Sequence, residues 1–123
     1  MNLRKFLKGE ETIMEEIKQF DIWVCDFSNC GELADFGIRP CVVVSNDSNN
    51  KFSERINVIP LTTSTKKPLK THCIVSSSKV TSVALCENVT TVNRKSLTIK
   101  DGALNDFERQ NVIYCLKQQF EII

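Results

Sequence analysis

Two short stretches hold the residue types best suited to chemistry. Gly37-Ile38-Arg39-Pro40 sets an arginine where a polar loop enters an apolar run, and Pro60-Leu61-Thr62-Thr63 sets two hydroxyls where a later apolar run ends. If these two ends adjoin in one sheet, a guanidinium and a hydroxyl meet at its rim. Such a pair suits a phosphate group, because the planar fork of arginine binds two oxygens and a hydroxyl adds a third hydrogen bond. An ordinary surface arginine would show the same spacing, so the pair alone leaves both readings open.

Other chemistries are excluded or disfavoured. His72 is the single histidine, which rules out any mechanism that shuttles protons between two imidazoles. No carboxylate cluster has metal-ligand spacing, which argues against two-metal phosphodiester chemistry. There is no phosphate-binding or dinucleotide glycine pattern and no Gly-x-Ser-x-Gly elbow. Six cysteines stand at 25, 30, 41, 73, 86 and 115, none paired as Cys-x-x-Cys. Zinc sites show close-paired ligands and disulfide frameworks belong to oxidising compartments. The cysteines therefore read as reduced, small core residues, and neither a metal nor a cofactor is expected. The net charge is +1, so the chain is no generic polyanion binder, but residues 21–100 carry ten basic groups against seven acidic ones. That surplus is densest at Lys66, Lys67 and Lys70, a pattern that fits a short anionic ligand or a solvated loop equally. Trp23 reads as core or as a stacking platform, and His72 as a structural strand-start residue or a ligand contact.

The elements that must position these residues follow from periodicity. With 41% apolar and 25% charged residues, the chain has the usage of an ordinary globular protein and reads as one domain over residues 1–123. No apolar run approaches the ~18 residues of a membrane span, and Met1–Glu10 has basic groups without an apolar core of a signal peptide. A cytoplasmic protein is expected. Leu3, Phe6, Leu7, Ile13, Met14 and Ile17 recur at helical spacing, interrupted by Gly9, and predict one or two short helices ending before Asp21. Strands are predicted at 22–27, at 40–45 (a continuous apolar run, hence buried on both faces), at 56–61 and at 71–75. Residues 82–92 fit one bent strand or two, and 97–99 a short one. Asn46–Ser53 reads as a loop or a single helical turn. Asn105 with Glu108 three residues later marks a capping box, followed by a helix whose Leu104, Phe107, Val112, Cys115, Leu116 and Phe120 are expected mostly on one face. Five to seven short strands closed by a C-terminal helix fit a small, strongly curved, SH3-like barrel.

From Asp21 to Leu97, roughly two thirds of the chain, the sequence resembles the MazF/PemK family of toxin endoribonucleases. The matching pieces occur in order and with matching spacing. They are Asp21–Phe27, Gly37-Ile38-Arg39-Pro40-Cys41-Val42-Val43-Val44-Ser45-Asn46-Asp47, Asn50–Ser53, Pro60-Leu61-Thr62-Thr63, Thr71-His72 and Val83–Val89. The resemblance implies a PemK/CcdB-type curved barrel, a homodimer, and the toxin role in a type II toxin–antitoxin system. It also implies metal-independent, sequence-specific cleavage of single-stranded RNA by 2′-hydroxyl transesterification, with inhibition by a cognate antitoxin protein. DNA would be touched only indirectly, through an antitoxin complex. By the same resemblance the catalytic pair falls on Arg39 and Thr62, and RNA-facing loops fall on Ser28–Ile38 and Thr63–Lys70. Asp35, Thr63, Ser64, Lys66, Lys67, Lys70 and His72 are the implied RNA contacts. The sequence departs from the family pattern at Phe20-Asp21, Ala34-Asp35, Glu87-Asn88 and Thr90, and in its longer N-terminal segment; the changes at 34, 35 and 90 bear on base preference. A competing reading keeps the fold and drops the catalysis, leaving a non-catalytic RNA-binding module or a CcdB-like module that targets a protein.

Overall fold

The computed structural model describes residues 16–63 and 69–122. Seven strands form one antiparallel sheet: β1 Asp21–Asp26, β2 Ile38–Val43, β3 Arg55–Thr62, β4 His72–Val75, β5 Ser82–Leu85, β6 Thr90–Asn93 and β7 Leu97–Ala103. Two helices accompany them, α1 Asp47–Phe52 and α2 Asp106–Phe120. The sheet runs β4-β5-β3-β2-β1-β7 without closing, and β6 also pairs with β3. It is a mainly β, strongly curved open barrel with a C-terminal helix, as the strand pattern predicted. Segment 82–92 resolves into two strands, because the 3-10 turn Cys86–Asn88 breaks it.

β3 is the hub. Arg55–Val58 pair with β6, and Leu61–Thr62 pair with β5. Val58–Pro60 meanwhile pair with β2 on the other edge. Residues on its two faces feed two separate cores, which explains the continuous apolar runs. One core holds Trp23, Cys25, Phe27, Cys41, Val43, Ile56, Val58, Val92 and Leu97. The other lies under α2 and holds Ile22, Val42, Ile59, Leu61, Val75, Ala84, Leu104 and Val112. Trp23 is therefore a core residue; its indole Nε1 donates to Asp21 Oδ2 at 3.3 Å.

Two expectations need correction. The helix predicted to reach Phe20 is absent over residues 16–20; the rest of that prediction, residues 1–15, lies outside the described residues. Over 16–20 the backbone is drawn onto the sheet instead. Lys18 N donates to Asp21 Oδ2 at 2.9 Å, Phe20 N to Val43 O at 2.6 Å, and Phe20 adopts φ 70°. In α2 the capping box is present between Asn105 and Glu108, but Phe107 and Phe120 are exposed. The buried stripe is Glu108, Val112 and Cys115, at spacings of four and three residues. Glu108 takes the inner place because its carboxylate accepts hydrogen bonds from Ser76 N at 2.6 Å, Ser77 Oγ and Asn105 N at 3.1 Å. Burial raises its pKa, but these bonds outweigh that and hold the carboxyl below the ordinary glutamate range.

Candidate active site

Arg39 stands near the start of β2, opposite Cys25 of β1. The chain arrives there through the 3-10 turn Gly31–Phe36 and Gly37, whose φ of 63° suits a residue without a side chain. Gly37 O accepts from Phe27 N at 2.8 Å, closing the loop against the end of β1. Arg39 is half-buried, and its Nε donates to Phe36 O at 2.9 Å. That bond fixes the guanidinium on its stem side and leaves the two terminal nitrogens as the groups with which it would grip a ligand.

Thr62 ends β3, pairs with Val83 of β5, and is 7% exposed. The β2–β3 register pairs Cys41 with Pro60, Val42 with Ile59 and Val43 with Val58. The ladder ends at the first of these: Arg39 on β2 and Thr62 on β3 each lie two residues beyond the Cys41–Pro60 pair, at the same end of the two strands.

Around this rim the implied RNA contacts divide. Asp35 is exposed on the 3-10 turn that leads to Arg39, and Thr63 and Lys70 are exposed on either side of the loop between β3 and β4. Ser64, Lys66 and Lys67 lie outside the described residues. His72 differs from the others. Its side chain is 9% exposed, Nδ1 accepts from Leu69 N at 3.2 Å, and Nε2 lies 2.8 Å from Glu87 Oε2. With Nδ1 accepting, Nε2 carries the proton and donates to the carboxylate. Both ring nitrogens are spent inside the fold.

Glu87 is not among the candidate residues of the sequence, yet it organises this end of the loop. Besides His72 it accepts from Thr71 Oγ1 at 2.9 Å, so one carboxylate holds both residues at the loop's exit. Burial raises its pKa, while the bonds from His72, from its own backbone and from Thr71 outweigh that and lower it. In sequence it was marked only by its place within the Val83–Val89 piece and by the departure from the family pattern at Glu87-Asn88. Among the described residues, no group of three potential metal ligands includes a residue of this rim. Among the described residues, the hydrogen bond of the Arg39 guanidinium is to a backbone carbonyl, Phe36 O, and not to a carboxylate or imidazole.

Comparison with known proteins agrees with this architecture. The sequence profile of the PemK-like, MazF-like toxins of type II toxin–antitoxin systems matches residues 18–120. The chain is 30% identical over 95 residues to "Endoribonuclease EndoA" of Bacillus subtilis, covering 73% of this chain and 82% of that protein. Among solved structures, MazF of Deinococcus radiodurans superposes with a TM-score of 0.77 at 15% identity, covering 89% of this chain and all of that one (100%). An endoribonuclease solved in complex with its cognate antitoxin, from Mycobacterial species, gives a TM-score of 0.74 at 19% identity, covering 87% and 97%.

Proposed function

The chain belongs to the PemK-like, MazF-like toxins of type II toxin–antitoxin systems, and from that premise we propose that it is an endoribonuclease that cuts single-stranded RNA without a metal ion. The observation that supports the site assignment is that Arg39 and Thr62 each lie two residues beyond the last β2–β3 pair, Cys41 with Pro60, at the same end of the two strands. The ribose 2′-hydroxyl attacks the adjacent phosphorus, and the bond to the 5′-oxygen of the next nucleotide breaks. The 2′-hydroxyl proton leaves to solvent, the departing 5′-oxygen takes one up, and the products end in a 2′,3′-cyclic phosphate and a 5′-hydroxyl. Negative charge grows on the non-bridging oxygens. Arg39, steadied by Phe36 O, meets it with its terminal N–H groups, a contribution of about 3–4 kcal/mol for a preorganised donor of this kind. Thr62 orients the 2′-hydroxyl or the phosphate.

Asp35, Thr63, Ser64, Lys66, Lys67 and Lys70 form the RNA surface in this reading, and His72 serves it by anchoring the loop that carries the lysines. Single strands are the substrate because in-line attack needs the 2′-oxygen, phosphorus and leaving oxygen near one line, which A-form stacking prevents; bases must also be unpaired to be read. The protein acts as a single domain and a homodimer, silenced by a cognate antitoxin protein, in the cytoplasm. Exposed Ile113, Tyr114 and Phe120 on α2, and a groove lined by Val44, Val89, Leu116 and Phe120, supply apolar surface for these partners. Among the described residues no helix is long and apolar enough to cross a membrane.

The test uses one labelled RNA, alone and annealed to its complement, incubated with the protein in excess EDTA. The expected result is cleavage of the single strand to cyclic-phosphate ends and an intact duplex. Activity lost in chelator and restored by a divalent ion, or equal cutting of both forms, would overturn the reading.

A further inference from the structure

Three cysteines far apart in sequence meet at one point. Cys73 lies in β4, Cys86 in the turn after β5, and Cys115 on the inner stripe of α2. Their three Sγ atoms all lie within 4.8 Å of one another. Cys86 and Cys115 are buried, and Cys73 is half-buried. Part of the convergence follows from register: Cys73 pairs with Ala84, which makes Cys86 its diagonal neighbour on the same face. Cys25, Cys30 and Cys41 form no such group, so a high cysteine content alone does not produce one. As packing, a buried cysteine is a small apolar residue, and the Cys115 thiol also donates to His72 O at 3.7 Å; neither role requires three sulfurs from three elements to converge.

We propose that Cys73, Cys86 and Cys115 form a structural site for a soft divalent cation, zinc in the first instance, held by three thiolates. Tetrahedral zinc with Zn–S bonds of about 2.3 Å sets its sulfurs roughly 3.8 Å apart, so sulfurs within 4.8 Å need only a small contraction. The fourth position falls to a solvent molecule, reached on the side of half-buried Cys73. A disulfide would use two of the sulfurs and strand the third. Between Cys73 and Cys86 it would also have to bridge a diagonal strand pair, whose backbone separation of roughly 7–8 Å exceeds the usual disulfide span. Loading releases three protons and brings in two positive charges, leaving the site with one net negative charge. The ion would clip α2, which otherwise rests on the sheet through the narrow stripe of Glu108, Val112 and Cys115, to the end of the sheet that bears His72 and Glu87. It takes no part in cleavage, and its test is independent of the RNA reading.

The experiment titrates the full, reduced, metal-free chain with zinc against a chromogenic chelator, and with cadmium by thiolate-to-metal charge-transfer absorption. One ion per chain is expected, with a raised Tm. Zinc should protect Cys73 of the wild-type protein from alkylation while Cys30 stays reactive. Cys115→Ser should weaken binding by about 100-fold or more, and Cys30→Ser should leave it unchanged. Absence of stoichiometric binding, or an ion bound while Cys73 alkylates at its metal-free rate, overturns the proposal; the alkylation measurement decides even if Cys115→Ser does not fold.

Discussion

Replacing Arg39 by lysine keeps a positive charge at the rim and removes the geometry. In the native chain Nε holds Phe36 O at 2.9 Å while the terminal nitrogens remain for the phosphate. A lysine has one nitrogen for both tasks. If it keeps the carbonyl it loses the phosphate, and if it reaches the phosphate the loop end at Phe36 loses its tie. Loss of one preorganised donor to the developing charge costs about 3–4 kcal/mol, or roughly 10²–10³ in the chemical step. Arg39→Ala removes both donors and the charge and should fall at or beyond the upper end of that range. The effect on folding should be small. Arg39 is half-buried near a strand end, and the lost hydrogen bond to Phe36 is worth only about 1 kcal/mol. The assay is single-turnover cleavage of a short labelled RNA at saturating protein, beside a thermal melt of each variant. A near-native Tm is expected for both, with the rate lowered by about two to three orders of magnitude in Arg39→Lys and by about three or more in Arg39→Ala. Arg39→Lys at close to the wild-type rate would refute the bidentate argument, and Arg39→Ala at that rate would falsify the site itself.

Further outcomes follow from the same geometry. Thr62→Val, nearly isosteric, should keep the fold and lower single-turnover cleavage by about 10-fold or more; an unchanged rate would remove the hydroxyl from the mechanism. Glu87→Gln should loosen the loop exit at Thr71 and His72, raising the KM for RNA more than it lowers kcat, with faster amide exchange at Leu69 and His72; a purely kcat effect would contradict an anchoring role. Glu108→Ala strips partners from Ser76 N, Ser77 Oγ and Asn105 N and should destabilise by about 2–3 kcal/mol, near 10 °C in Tm; a shift under 2 °C, on the order of experimental scatter, would show that water replaces it. Glu87 and Glu108 both have lowered pKa values, so their contribution is full above the ordinary glutamate pKa of about 4.3 and is lost as the pH falls below it. Stability should therefore drop on acidification through that range, and less steeply in Glu108→Gln, as urea midpoints against pH would show.

The local pattern determined a good deal of this protein. Doubly buried runs such as Cys41-Val42-Val43 read as strands because each strand of a sheet with cores on both faces buries consecutive residues. Asn105 with Glu108 marked the start of α2, because capping is a matter of four adjacent residues. The order of short matching pieces disclosed the family, and Arg39 and Thr62 came with it. What the sequence left open depends on registers and contacts between distant segments. Helical spacing in residues 1–20 carried no information that Phe20 would bond to Val43 and turn residues 16–20 into an approach to the sheet. Phe107 looked like core until Glu108 found three donors on the segment after β4 and on its own cap, which rotated the buried stripe. His72 and Glu87 are fifteen residues apart and meet only through the β4–β5 pairing. The same pairing, with α2 laid against it, gathers Cys73, Cys86 and Cys115. Spacing rules find ligands that are neighbours in the chain, and these became neighbours only when the sheet and the helix closed over one another.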